Sequence, residues 1–268
     1  MIRQDSPSMK QNSNDIYDKT TNTCMKTIHK HIFKNKKRSL IMKKYEFTGE
    51  TITHKNRTLH RIRALISFND VKVGDLGGFI ASEENLSHEG DAWIYDEAKA
   101  FDYSQVTDNA TLTEFAEISE DAKIRENAGV HGNAKVSGSA DVYGHADVNE
   151  MAAVCDKARI YGHAEVSKQA LVSGRASIHG HTRMYGAVSD AANIHGRAIV
   201  YGEVYGHAEI CGNAKVYGRA HISEYAKIYG RASIRTNVHI RGNVKIKDGI
   251  VCDEPDKKER SEKQASSK

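Results

Sequence analysis

At 268 residues the chain has the length of one or two ordinary domains, yet only 7% of it is aromatic, 21 residues are glycine, and the two prolines are Pro7 and Pro255. The net charge of +4 is uneven: eleven basic residues against three acids fall in the first 44 positions, leaving 28 basic against 32 acidic residues in a body with no nucleic-acid-binding stripe. Cys24, Cys155, Cys211 and Cys252 form no CxxC pair and follow no export signal, which fits free thiols in a reducing cytoplasm, and no apolar run is long enough to span a membrane.

Residues 1–41 are polar and basic without helical or alternating periodicity, and read as a disordered basic arm or an upstream-extended start. Residues 42–93 differ. Short alternating runs are separated there by turn residues, as in a small β-meander that caps the downstream repeat. Tyr45 and Phe47 share a face, and Gly49-Glu50 and Lys55-Asn56 read as turns. In the run from Thr58 to Ile66, Ile62, Ala64 and Ile66 alternate with Arg61, Arg63 and Leu65, of which Leu65 alone breaks the pattern. Gly74-Asp75-Leu76-Gly77-Gly78-Phe79-Ile80 supplies a glycine-rich turn into a further strand, and Trp93 is assigned to the packing of this cap.

From Val106 to Met184 an aliphatic residue or Met returns at every sixth position, through Leu112, Ile118, Ile124, Val130 and onward without an insertion. Ala stands two positions earlier in nearly every unit and Gly two positions later in many, so the unit reads A-x-V-x-G-x. Side chains two apart on a strand share a face, so Ala and Val point inward while Lys135, Asp141, Asp147, Arg159 and Glu165, between them, point out. A period of six excludes an amphipathic helix. Three six-residue sides make a triangular coil of 18 residues, about nine of them over 94–250, and one such coil buries too little to hold itself, so stacking must stabilise the array. The step shortens to four at Met184 to Val188, Val200 to Val204 and Ile246 to Ile250, each time preserving the alternation. Residues 251–268 read as a disordered tail.

This pattern resembles the hexapeptide repeat of left-handed β-helix proteins, a family with many acyltransferases and usually trimeric. Phe68-Asn69-Asp70-Val71-Lys72-Val73-Gly74, Gly77-Gly78, Asn85-Leu86-Ser87 and Asp91-Ala92-Trp93-Ile94-Tyr95-Asp96 are similar to the YdcK-like group of bacterial and phage proteins over about residues 45–250. The resemblance implies an all-β, left-handed parallel β-helix with a small N-terminal β cap, and speaks to fold more than to chemistry.

Outward residues just after each aliphatic fall into three columns. One holds Arg125, Tyr143, Tyr161, His179, His195, Cys211 and Tyr229; a second holds His131, Asn149, Ser167, Tyr185, Tyr201, Tyr217 and Arg235; the third is small, with Ser119, Ser137, Cys155, Ser173, Ser189, Tyr205 and Ser223. Tyrosine columns suit ligand or subunit recognition, and cross-rung stacking that stabilises a sheet accounts for them equally well. His145, His163 and His181 repeat every 18 residues and so share a corner. They are weak metal candidates, because equivalent positions carry Asn109, Asn127, Arg197 and Asn213, and an exposed turn ladder is the preferred reading. Cys155 and Cys211 have no base nearby in sequence. No P-loop, GxGxxG, HExxH or GxSxG constellation appears, and the unbroken run from Val106 to Met184 has no room for the loop that hexapeptide acyltransferases carry. The expected function is a non-catalytic homotrimeric scaffold, with no cofactor, that binds a partner or small ligand. A small-molecule acyltransferase is the second reading. A phage-type module that sequesters a host metabolite or signalling nucleotide is the third, for which Arg125, Arg235 and the tyrosines suit phosphates and bases.

Overall fold

The computed structural model describes residues 42–252; the expected basic arm lies outside the described residues, as does the tail beyond Cys252. The described chain is an all-β parallel β-helix of about ten turns. No described helix is long and apolar enough to cross a membrane.

Three long strands open the fold: β1 (Tyr45–His54), β2 (Arg57–Ala64) and β3 (Leu76–Ile80). β1 and β2 pair antiparallel across Lys55 and Asn56, both at positive φ, the geometry of a tight two-residue hairpin. Gly49-Glu50 is not a turn, because β1 runs straight through it. The extra residues are absorbed as an irregularity between Phe47 and Thr51, with Gly49 at φ 91. Tyr45 and Phe47 precede the bulge in regular register opposite Ala64 and Ile62, yet Tyr45 is fully buried while Phe47 is exposed and stacks on His60.

β3 pairs antiparallel with β2 and parallel with Lys99–Ala100, so it converts the meander into the first rung of the stack. Close approach explains its glycines. A Cβ on Gly78 would lie 2.4 Å from the Ala98 carbonyl oxygen, and one on Gly77 would lie 2.6 Å from Ile62 Cγ1. Trp93 is buried at the junction, edge-on to Tyr45 and Phe68. The Arg61 guanidinium lies 4.2 Å over the Phe79 ring and donates to the Gly77 and Asp96 carbonyls and to Glu97. Asn85 is buried with its amide donating to the Asp102 and Ser104 carbonyls.

Beyond this entry, two-residue rungs stack in parallel to give three sheets of 12, 10 and 9 strands, the 12 including the antiparallel β1, β2 and β3 at its start. We call the sheet through Val142, Ile160 and Ile178 the first face, that through Val148, Val166 and Met184 the second, and that through Val136, Val154 and Val172 the third. The Ala and aliphatic positions are buried from Ala92 to Ile234, as the two-residue alternation requires, and the burial weakens in the last coils, where Val238, Ile246 and Val251 are half-buried and Val244 is exposed. Each coil also exchanges backbone hydrogen bonds with the next, Tyr143 N–H donating to the Ile160 carbonyl at 2.9 Å for example. The shortened steps at Val188 and Val204 keep this register, pairing Val172 with Val188 and Val188 with Val204. The third does not behave as expected. Val251, not Ile250, aligns with Ile234, and Ile250 is 62% exposed, so one residue is removed there and not two.

Candidate functional site

The rungs carry the outward columns into register. On the first face, Arg125 lies 4.0 Å over the Tyr143 ring, Tyr143 stacks on Tyr161 at 4.9 Å, Tyr161 on His179 at 4.6 Å and His179 on His195 at 5.1 Å. Burial pushes the Tyr143 phenol up, and burial with the neighbouring His195 pushes the His179 imidazole down. Arg125 is not a free phosphate ligand, since both carboxylate oxygens of Asp141 accept from it at 2.9 Å and Glu126 accepts at 2.8 Å.

On the second face Tyr185 packs against Tyr201 at 4.6 Å, and Tyr201 against Tyr217 at 5.7 Å. Lys168, which sequence reasoning passed over, reaches both Tyr185 and Tyr201 at 4.8 and 5.1 Å. Below this ladder is a groove of about 530 Å³ lined by Asn213, Lys215, Tyr217, Arg231, Ser233 and Arg235. Tyr217 and Arg235 thus come together, joined by two cations from neighbouring rungs and corners. Arg235 donates to the Ser233 hydroxyl, and among the described residues none of Lys215, Arg231 and Arg235 is ion-paired to a carboxylate.

His145, His163 and His181 do share one corner. Their rings are parallel within 3° at centroid spacings of 4.9 and 4.8 Å, a linear stack in which His145 and His181 are separated by the His163 ring, and the three do not surround one point. Convergence occurs elsewhere. The Cys211 Sγ, a His195 ring nitrogen and a Glu209 oxygen all lie within 4.8 Å of one another. His195 Nε2 is 2.9 Å from one Glu209 oxygen, and Lys227 Nζ donates to the other at 2.7 Å. Burial pushes Glu209 up, but the bonds from Lys227 and His195 outweigh it and hold its carboxyl below the usual range. Burial, reinforced by Glu209, pushes the Cys211 thiol up. Cys211 therefore does have acid–base neighbours: His195, which precedes it in the column read from sequence, and Glu209, which the columns did not show. His195 and Cys211 are 16 apart because the one coil between them is shortened at Val200 to Val204, and Glu209 occupies the outward slot of the Cys211 rung. Tyr229 continues the column, with Lys227 5.8 Å over its ring.

Fold and surface together define a hexapeptide-repeat β-helix protein with outward ladders of rings. Among known proteins the chain is similar to the uncharacterized acetyltransferase YdcK of Escherichia coli (strain K12), at 49% identity over 45 residues. That segment is 17% of this chain and spans only 14% of the relative's length. No family model matches the chain.

Proposed function

We propose that the protein is a non-catalytic, homotrimeric β-helix scaffold that holds a small anionic ligand against its second face. The groove of Lys215, Tyr217, Arg231 and Arg235 carries this reading. Lys215, Arg231 and Arg235, whose side chains form no ion pair with a carboxylate among the described residues although Asp248 accepts from the Arg231 backbone N–H, supply a local positive potential that favours an anion, and the half-buried Tyr217 offers a flat apolar surface to a ring. A phosphorylated small molecule with a planar group meets both requirements, and sequestration of such a metabolite uses the same chemistry. The homotrimer rests on the resemblance to hexapeptide proteins, and the free thiols of Cys155, Cys211 and Cys252 support a cytoplasmic setting.

Acetyl transfer is the second reading, favoured by the similarity to a protein described as an acetyltransferase and by the His195–Glu209 pair, which has the contact a general base needs for orientation. One experiment separates the two. Calorimetry should show saturable binding of ADP, weakened by salt and at least about tenfold by Arg235→Ser, with no binding of adenosine. Absence of ADP binding refutes the anion groove. Turnover of acetyl-coenzyme A that depends on His195 selects the enzyme.

A further inference from the structure

We propose that His195, Glu209 and Cys211 form a binding site for one thiophilic divalent cation of the zinc class. The three side chains come from adjacent rungs of the first face and offer one nitrogen, one oxygen and one sulfur donor, all within 4.8 Å of one another. Sulfur and imidazole donors disfavour magnesium and calcium, and three protein ligands with a fourth position open to water is the arrangement zinc adopts where it is not fully enclosed. Each member is only half-buried, so the open position faces solvent.

The surroundings are those of a supported site. Lys227 fixes the second oxygen of Glu209, leaving the first directed at His195, and the His195 ring is held parallel to His179, within 3°. Elsewhere on this face the pattern fails. The residues that flank the column are Asp141, Arg159, Ser177 and Asn193, beside Tyr143, Tyr161, His179 and His195, and none places a carboxylate between an imidazole and a thiol. Cys155 has Asp156 at 3.9 Å but a serine, Ser137 or Ser173, on either side of it in its column.

Binding breaks the S–H bond of Cys211 and releases that proton to solvent as the sulfur–metal bond forms. His195 turns an unprotonated Nε2 from Glu209 to the cation, carrying its N–H on Nδ1. Affinity therefore rises with pH.

The test is titration of the reduced full-length chain with cobalt(II). The expected result is one equivalent per chain, a thiolate-to-cobalt charge-transfer absorption, and displacement by zinc. Cys211→Ser should remove the absorption, Glu209→Gln and His195→Ala should each weaken affinity at least about tenfold, and Cys155→Ser should change nothing. No absorption in the parent, or absorption that survives Cys211→Ser or vanishes with Cys155→Ser, overturns the site. If Cys211→Ser loses its β circular dichroism, alkylation of the parent decides. Zinc protection of Cys211, mapped by mass spectrometry, supports the site, and equal labelling with and without zinc overturns it.

Discussion

The Asp156 carboxylate accepts a hydrogen bond from the backbone N–H of Gly174, one coil further on, at 2.9 Å, while Asp156 itself sits at φ 59. The contact recurs along the stack. Asp108 accepts from Glu126 N–H at 3.0 Å, and Glu126 in turn accepts from Gly144 N–H at 3.1 Å. The corner position that is glycine in many units is thus filled elsewhere by Asp or Glu, in a left-handed conformation that costs a non-glycine residue about 1–2 kcal/mol. The carboxylate offsets that cost by bonding the turn amide of the next coil.

Substitution at Asp156 should therefore follow an unusual order. Asp156→Ala keeps the backbone strain and loses the bond, for a loss of about 1–2 kcal/mol. Asp156→Gly loses the bond and relieves the strain, and should stay within about 1 kcal/mol of the parent. Melting temperatures under one set of conditions check the order; an alanine variant as stable as the parent, or a glycine variant below alanine, refutes the compensation.

Lys44 gives a pH dependence. It belongs by sequence to the basic N-terminal run, yet its side chain is buried against the Phe68 ring and donates to the Gly90 and Ala92 carbonyls. Burial pushes its pKa down to about 8, against a weaker opposing pull from Asp91. Between pH 8 and its ordinary value of 10.5 the unfolded chain holds a proton that the folded chain has lost, so stability rises with pH there. The neighbouring Tyr45 phenol, pushed up by burial and then by Glu83, acts in the opposite sense above about pH 10. The window to measure is therefore pH 8 to 10, where the raised Cys155 and Cys211 thiols also act in the opposite sense, so the urea midpoint of the parent should climb relative to that of Lys44→Met. A difference between the two that is flat or falling across that window rules out a buried charged Lys44.

How far the fold is legible in the sequence differs by residue. Tyr143, Tyr161 and His179 could be placed in one column because an uninterrupted six-residue step leaves no freedom of register. Ile250 was misplaced because Ile250 and Val251 are both aliphatic and only the pairing with Ile234 decides between them. The Glu209 contact was hidden because it joins an outward slot to the neighbouring column across one coil shortened at Val200 to Val204, a relation no local motif displays. Lys44 was hidden because nothing in Lys43-Lys44 tells which lysine plugs the cap.

The ring columns admit two readings, recognition and cross-rung stacking, which separate in one pair of variants. Tyr161 is stacked on both sides and half-buried, whereas Tyr201 is 39% exposed beside Tyr185 and Lys168. Loss of two stacked contacts at Tyr161 costs about 1–3 kcal/mol of stability whatever the function. Burial of a tyrosine at a subunit or ligand contact adds about 2 kcal/mol or more to association, and an exposed ring used for nothing adds little. The third face offers the contrast, because Ser137, Cys155 and Ser173 line it without rings. Tyr161→Ala and Tyr201→Ala should therefore weaken assembly or ligand retention, read by native mass spectrometry, while the β signal in circular dichroism persists. Ser137→Tyr and Ser173→Tyr should leave assembly unchanged. If instead both alanine variants assemble and bind as the parent does and the serine variants break the assembly, the third face is the contact surface and the tyrosines serve only to stack the coils.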